Sequence, residues 1–356
     1  MTRTPPPKRR QPAPPSPSSR SGDRLDGTIA PKPYEFISFP KEKPPLQPPI
    51  GQDKYHTDRC HGTLHLTLTV QTSLHISTGV VAMGNDVGQK SIPLIKTMIQ
   101  GSEEKLIIPG SSLKGVVRSV YEAITNSTLA VITSKYRDRI PPERLPCKDK
   151  KRLCPASRVF GALDWQGLIH FTDARCESVG FRPGFMPSLY RPRPDQSQKY
   201  FNQGRVAGRK FYYHTIRAVD KGQQQGIPVQ QAAKEFIFTT QLHYRNLTQA
   251  ELGTLLIVLG QDKPKHSIAL KVGGGKPIGM GTMTVEVTTL EQPANLRDRY
   301  LSYDSEPDRL TGNQLQQVMQ RAIQEAHRQL VQSQQLQELA AVLKYPTDRE
   351  PPEGMY

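Results

Sequence analysis

The chain has 356 residues, with 48 Lys plus Arg against 32 Asp plus Glu, a formal charge of +16. A surplus of that size points to a polyanionic partner, nucleic acid first; the opening 24 residues (Arg3, Lys8, Arg9, Arg10, Arg20 and Arg24 against Asp23) supply five of those charges and the body supplies the rest. Four cysteines make no disulfide framework and fit a cytoplasmic protein, no run of 18 apolar residues spans a bilayer, and the basic N-terminus lacks the apolar stretch of a secretory signal.

In chain order, residues 1–30 are rich in Pro, Ser and Arg, lack apolar periodicity and are expected to be disordered. Residues 1–59 together read as a basic, proline-rich leader with one interruption, PYEFISFP at 33–40. An apolar island of that kind docks in extended form on a sheet edge or a neighbouring subunit. Residues 41–59 return to a Pro/Lys linker. From 62 to 77, Leu64, Leu66, Leu68 and Val70 alternate with Thr and His, which predicts a long half-buried strand. Residues 79–100, with glycines at 79, 84 and 88, read as a loop.

The stretch 105–127, KLIIPGSSLKGVVRSVYEAITNS, reads as a short strand, a Pro-Gly turn and a helix. Ser111 and Ser112 are the expected N-caps. Leu113, Val116, Val117, Val120, Tyr121 and Ile124 recur at helical spacing as one buried stripe. Lys114 and Arg118, four residues apart, share a different face. Free N–H groups, two hydroxyls, the positive end of the helix dipole and two cations make this helix start a candidate phosphate site. A capped helix with two solvated basic residues is the alternative.

Residues 128–157 form an irregular, basic connection holding Cys147 and Cys154, and GLIHFTDA at 167–174 is a second strand. Residues 178–234 read as an insertion rich in Pro, Gly, Gln, Arg and Tyr. Within it GRKFYYHTIR, at 208–217, mixes cations with aromatics as single-stranded RNA binders do, which nominates Arg209, Lys210, Tyr212 and His214; aromatics buried in an ordinary hairpin are the alternative. A strand follows at 235–244. Thr248 and Glu251 then form a capping box for a helix with Leu252, Leu255, Leu256 and Leu259 buried and Gly260 at its C-terminus. A short strand near 268–272, the glycine cluster GGGKPIGMG at 273–281 and a strand through Met283, Val285 and Val287 complete the set.

The order is strand, helix, strand, strand, helix, strand. That predicts an α+β, ferredoxin-like (RRM-like) βαββαβ domain over 60–290 with large insertions. Residues 291–356 are expected to be a helical C-terminal extension, Leu315 to Leu330 carrying its apolar stripe, with the last dozen residues loose.

Three motifs in this order resemble the RAMP superfamily of CRISPR-associated proteins. They are Ile108-Pro-Gly-Ser-Ser-Leu-Lys-Gly115 with Arg118, Cys154-Pro with Arg158-Val-Phe-Gly161 before a GxxxFTDA strand, and the glycine cluster. GRKFYYH and PYEFISFP also resemble the repeated backbone subunits of type III effectors. The resemblance implies a subunit that stacks with others along a guide RNA paired with target RNA. It implies phosphate contacts at Ser111, Ser112, Lys114 and Arg118, and at Gly273, Gly274, Gly275, Lys276, Gly279 and Gly281. Phosphate contacts fix position without reading sequence, which suits a protein that leaves sequence to its guide. The glycine cluster is no Walker loop, since Pro277 follows Lys276, and no dinucleotide fingerprint, since it joins two strands; a glycine-rich turn kept for packing is the alternative.

The resemblance further implies Mg2+-dependent target-RNA cleavage supported by an aspartate after the first strand. The position two before Pro93 is Ser91, so the candidate is Asp86; a turn residue before Gly88 is its alternative. His75 is a second candidate, with a place on the exposed face of a strand as its plainer reading. The resemblance also implies a zinc knuckle. Cys147 and Cys154 would supply two ligands, with Cys176, His170, or His61 and Cys60 completing four; two free thiols are the alternative. Two other readings are a non-catalytic RNA-binding subunit and a standalone endoribonuclease that processes guide precursors. The second requires a His/Tyr/Lys constellation, which His75 and Tyr121 do not form.

Overall fold

Alternation sets the central sheet. The computed structural model describes residues 33–352 apart from 102, 190–197, 220–225, 294, 296, 298–300 and 302–306; the expected disordered stretch 1–30 lies outside the described residues. Strand β1 (Tyr34–Ser38) is followed by β2 (Cys60–Val70), whose Leu64, Leu66, Leu68 and Val70 are buried as their spacing requires. Next come β3 (Ser77–Met83), β4 (Leu94–Met98), β5 (Lys105–Ile108), α1 (Gly110–Ile124) and the one-turn α2 (Pro155–Phe160). Then come β6 (Ile169–Phe171), β7 (Ala174–Val179), β8 (Arg182–Pro187), β9 (Gly208–Tyr212), β10 (Gly226–Gln231), β11 (Ile237–Leu247) and α3 (Gln249–Val258). The chain closes with β12 (Leu270–Lys271), β13 (Thr282–Gln292), β14 (Asp308–Leu310), α4 (Gly312–Gln329) and α5 (Ser333–Leu343).

The large sheet runs β12–β13–β2–β11–β7–β5, with β6 also on β11 and β14 on β13. All its named pairs are antiparallel, and Leu64 sits opposite Leu242 and Leu68 opposite Phe238 and Val285. The fold is a mixed α+β one.

The stretch read as a loop, 79–100, is instead the hairpin β3–β4. It joins β8 and β10 in a second, four-stranded sheet ordered β8–β10–β4–β3. The supposed loop and the supposed insertion therefore complete one another. Val80, Val81, Met83 and Leu94 stand 45–57% exposed on that hairpin. The 33–40 island is extended and pairs with a strand of the insertion: β1 and β9 make a separate two-stranded antiparallel sheet, Tyr34 opposite Tyr212.

Residues 41–59 are not a free linker. Fully buried Arg144 donates to the carbonyls of Pro40 and Glu42 and to Asn126 Oδ1, at 2.5, 2.6 and 2.6 Å. Asn246 Nδ2 holds the carbonyls of Gly51 and Lys54.

The capping box on α3 forms, with Thr248 Oγ1 accepting from Glu251 N–H at 3.0 Å. The helix is buried on every side rather than along a stripe, because α4 covers its second face. A Cβ added to Gly253 would lie 1.8 Å from the carbonyl of Ala322, so these helices meet backbone to backbone. The segment after α5 is tied down rather than loose: Ile216 N–H donates to the Arg349 carbonyl at 2.9 Å, and the Arg349 guanidinium lies 4.0 Å from the Tyr213 ring centre.

Candidate nucleic-acid interface

Helix α1 begins two residues earlier than an N-cap at Ser111 would place it. Pro109 is the N-cap, and Ser111 and Ser112 lie inside the first turn. The Gly110 N–H donates to Asp173 Oδ1 at 2.8 Å. A Cβ on Gly110 would come 2.2 Å from the Phe171 carbonyl, so glycine lets the helix start press on β6. The anion at this dipole end is thus the Asp173 carboxylate, from the FTDA motif. Two motifs far apart in sequence meet here, and the carboxylate takes the first N–H group of the helix.

The cations of α1 diverge. Lys114 Nζ donates to the Ile169 carbonyl at 3.0 Å, and burial with nearby Arg118 lowers its pKa. Arg118 Nε donates to Glu122 Oε1 at 2.8 Å. Glu122 is buried, and its other oxygen accepts from Arg209 at 2.6 Å. Arg209 also donates to the carbonyls of Ser127 and Thr128. Arg209, expected to grip RNA, is therefore an internal ion-pair partner, because a buried carboxylate holds it.

His214 is likewise a core residue, fully buried, with Nδ1 3.0 Å from Thr282 Oγ1 and Nε2 3.0 Å from the Ala269 carbonyl. Burial, then nearby Lys271, pushes its pKa down to about 3, so it stays neutral. Its two bonds fix the tautomer: Nε2–H donates to Ala269 and Nδ1 accepts from Thr282.

The glycine loop rests on the same buried network. Lys271 Nζ donates to the Gly279 carbonyl at 3.1 Å and Thr282 Oγ1 at 3.2 Å, and burial, then Lys276, lowers its pKa to about 7. Thr72 Oγ1 donates to the Gly279 carbonyl at 2.8 Å. Gly281 has φ +84°, and a Cβ there would sit 1.9 Å from the Val272 carbonyl. The N–H groups of Gly274, Gly279 and Gly281 donate to the carbonyls of His75, Lys276 and Ser73. Those three amides are held within the chain, and Gly273 and Gly275 take positive φ in the loop.

A cleft of about 600 Å³ opens between α1, β9, residues 129–140 and this loop. It brings Arg118, Lys210, Tyr212 and Lys276 together with Tyr136 and Phe201. Lys210 Nζ lies 3.8, 4.7 and 5.2 Å from the ring centres of Tyr34, Tyr212 and Tyr200. Arg139 lies 4.5 Å from the Phe201 centre. Rings and cations thus interleave along one wall. Segment 128–157 adds eight basic residues against three acidic ones.

A second cleft, about 860 Å³, is lined by Lys114 of α1 with His170, His243 and Arg245. The rings of His170 and His243 are parallel and 6.2 Å apart, and Thr63 Oγ1 is 2.8 Å from His243 Nδ1. Burial, then His170, lowers the pKa of His243. Strand pairing put them there: His243 is opposite His170. Each alternates with apolar residues, the one signal in the sequence that marked them as sharing a face.

The remaining candidates fall apart or stand alone. Asp86 is exposed on the short 3-10 turn Gly84–Val87 between β3 and β4. His75 is buried, not on an exposed face; Nδ1 donates to the Gln230 carbonyl at 2.7 Å, and burial lowers its pKa. Cys147 and Cys154 do meet: the Cys154 N–H donates to Cys147 Sγ at 3.4 Å, and Thr128 Oγ1 is 3.5 and 3.2 Å from the two sulfurs. A hydrogen bond from Cys147 keeps the Cys154 thiol below its usual range. Cys60 and Cys176 lie in other strands, His61 pairs with the His56 carbonyl, and His170 stacks on His243. With no third and fourth ligand beside them among the described residues, the two thiols do not fit tetrahedral zinc.

The motifs thus fold into one body: helix start, FTDA strand and glycine loop. A family model for the RAMP superfamily matches residues 67–284, more than half of the chain. The chain belongs to the RAMP superfamily. No curated protein matches it. Among solved structures, this RAMP chain is similar to one from the type III-B Cmr-beta bound to cognate target RNA, at 14% identity and a TM-score of 0.35. The match covers 64% of this chain and 59% of that one, so the chain matches about three fifths of its relative's length.

Proposed function

We propose that the chain is a guide-RNA-binding backbone subunit of a type III CRISPR effector, working beside other effector subunits on target RNA. The core order β13–β2–β11–β7, with α1 and α3 between strands, is read as a ferredoxin-like frame. The observation that supports RNA binding is the basic–aromatic cleft between α1 and β9, in a RAMP chain of charge +16. Lys276 and Lys210 at its walls are assigned to phosphate, Tyr212 and Phe201 to base stacking. Lys276→Ala should weaken RNA binding alike for all sequences and flatten its salt slope by about one. A loss confined to some sequences would contradict the backbone role.

Target cleavage rests on Asp86. It is the single acid in residues 77–98, so the chain itself offers Mg2+ one carboxylate there and RNA oxygens would make up the set. Asp86→Ala in the assembled complex should abolish magnesium-dependent products; unchanged products remove Asp86 from the mechanism.

A standalone endoribonuclease is a second reading, favoured by the His170, His243 and Lys114 cleft. One imidazole would take the proton of a 2′-hydroxyl attacking phosphorus. The other would protonate the departing 5′-oxygen, leaving a 2′,3′-cyclic phosphate, with Lys114 beside the phosphoryl oxygens. Cleavage of a repeat RNA by the purified chain in chelator, lost in His243→Ala, supports it; no cleavage ends it.

A further inference from the structure

Outside both clefts, three metal-ligating side chains converge. Asp262 and His266 lie in the turn after α3, and His327 lies in the last turn of α4. Asp262 Oδ2 is 2.7 Å from His266 Nδ1 and 2.9 Å from His327 Nε2. Their ligand atoms all lie within 4.8 Å of one another. The side chains are 8, 19 and 28% exposed, so the group is shielded yet open on one side.

We propose that Asp262, His266 and His327 bind one late first-row divalent ion, with zinc as the natural occupant, and that the ion clamps α4 to the turn after α3. One carboxylate and two imidazoles form a zinc donor set that leaves a fourth position for water. Imidazole ligands disfavour magnesium and calcium, which prefer oxygen. The fit is close. With bonds of about 2.0–2.1 Å, tetrahedral ligands stand roughly 3.3 Å apart, so the two N···O gaps need widen by only about half an ångström. In the loaded form each imidazole keeps its proton on the nitrogen facing away, Nε2 of His266 and Nδ1 of His327.

The scaffold already holds this geometry. His266 N–H donates to the Asp262 carbonyl at 2.8 Å, which closes the turn and puts both side chains on one side. Gly253 lets α3 and α4 touch through their backbones at Ala322, which fixes the approach of His327. Ligands on two elements in contact pay little ordering entropy when the ion enters.

The test uses the full chain, stripped with chelator and titrated with Co2+ as a spectroscopic probe. One equivalent should give tetrahedral d–d absorption without thiolate charge transfer, displaced by one equivalent of Zn2+, with a rise in thermal midpoint. His266→Ala and His327→Ala should each weaken Co2+ binding more than about a hundredfold, beyond what loss of an outer partner causes. Cys147→Ser with Cys154→Ser should leave the signal unchanged. Absence of the band, or a band carrying thiolate charge transfer that disappears in the cysteine variant, overturns the proposal. So does full Co2+ binding in both histidine variants.

Discussion

The turn that starts α1 and the glycine loop before β13 carry a similar promise in sequence: glycine and a lysine arranged for phosphate, joined at the helix start by two serine hydroxyls. They satisfy their backbone amides differently. The helix start is met from outside its own segment, by the Asp173 carboxylate. In the glycine loop, the N–H groups of Gly274, Gly279 and Gly281 donate to backbone carbonyls, while buried Lys271 and Thr72 donate to the Gly279 carbonyl from beneath. A motif's spacing thus says that amides are gathered, and the fold decides what they hold. On the proposed reading, RNA binding falls to the side chains lining the cleft, Lys276 and Lys210 first.

That contrast is open to direct attack. Gly281→Ala should cost most, about 3 kcal/mol or more, because positive φ and a backbone clash act together; chemical denaturation measures it, and a cost below about 1 kcal/mol would mean the loop is free to move. Next is pH. Lys271 is held near 7 when folded and returns to its ordinary 10.5 when unfolded. Between those values unfolding takes up a proton, so stability rises with pH by up to about 1.4 kcal/mol per unit and is lost as pH falls to 7. Denaturation at pH 7 and 8.5, below the ordinary thiol value of 9.0, should show the slope in the native chain and a flatter one in Lys271→Met. His214 adds an acid limb: neutral down to about 3, it makes stability fall as pH drops from 6.5. Asp173→Ala should cost about 1 kcal/mol, as loss of a helix cap does, with the glycine loop unaffected; an unchanged midpoint would break the assignment of Asp173 as the cap. The smallest effect is Ser111→Ala, which should change RNA affinity less than Lys276→Ala in a binding titration; the reverse order would return the phosphate to the helix start.

Local pattern carried much of the architecture. The alternation of β2, the stripe of α1 and the Thr248–Glu251 box were legible because each depends on near neighbours; the 34–38 strand showed as an apolar island, while its partner β9 lies far along the chain. The second sheet was not. β4 pairs with β10 through Val229 opposite Lys96, more than a hundred residues away, and three glycines disguised β3 and its turn as loop. Arg209 and His214 read as RNA ligands because cations and rings alternate there; nothing in that stretch announces Glu122 or Ala269 as their partners. The His170–His243 cleft and the Asp262 cluster were hidden for the same reason.

The pairing of β1 on β9 has a practical outcome for any shortened version of this protein. Ser38 also anchors to Glu338 on α5 through its N–H and hydroxyl, at 2.8 Å each. A chain beginning after residue 40 would bare one side of β9, an open strand row beside tyrosines, and self-association through that row would follow. What looks like dispensable leader is a strand that covers one edge of β9 and ties it to α5.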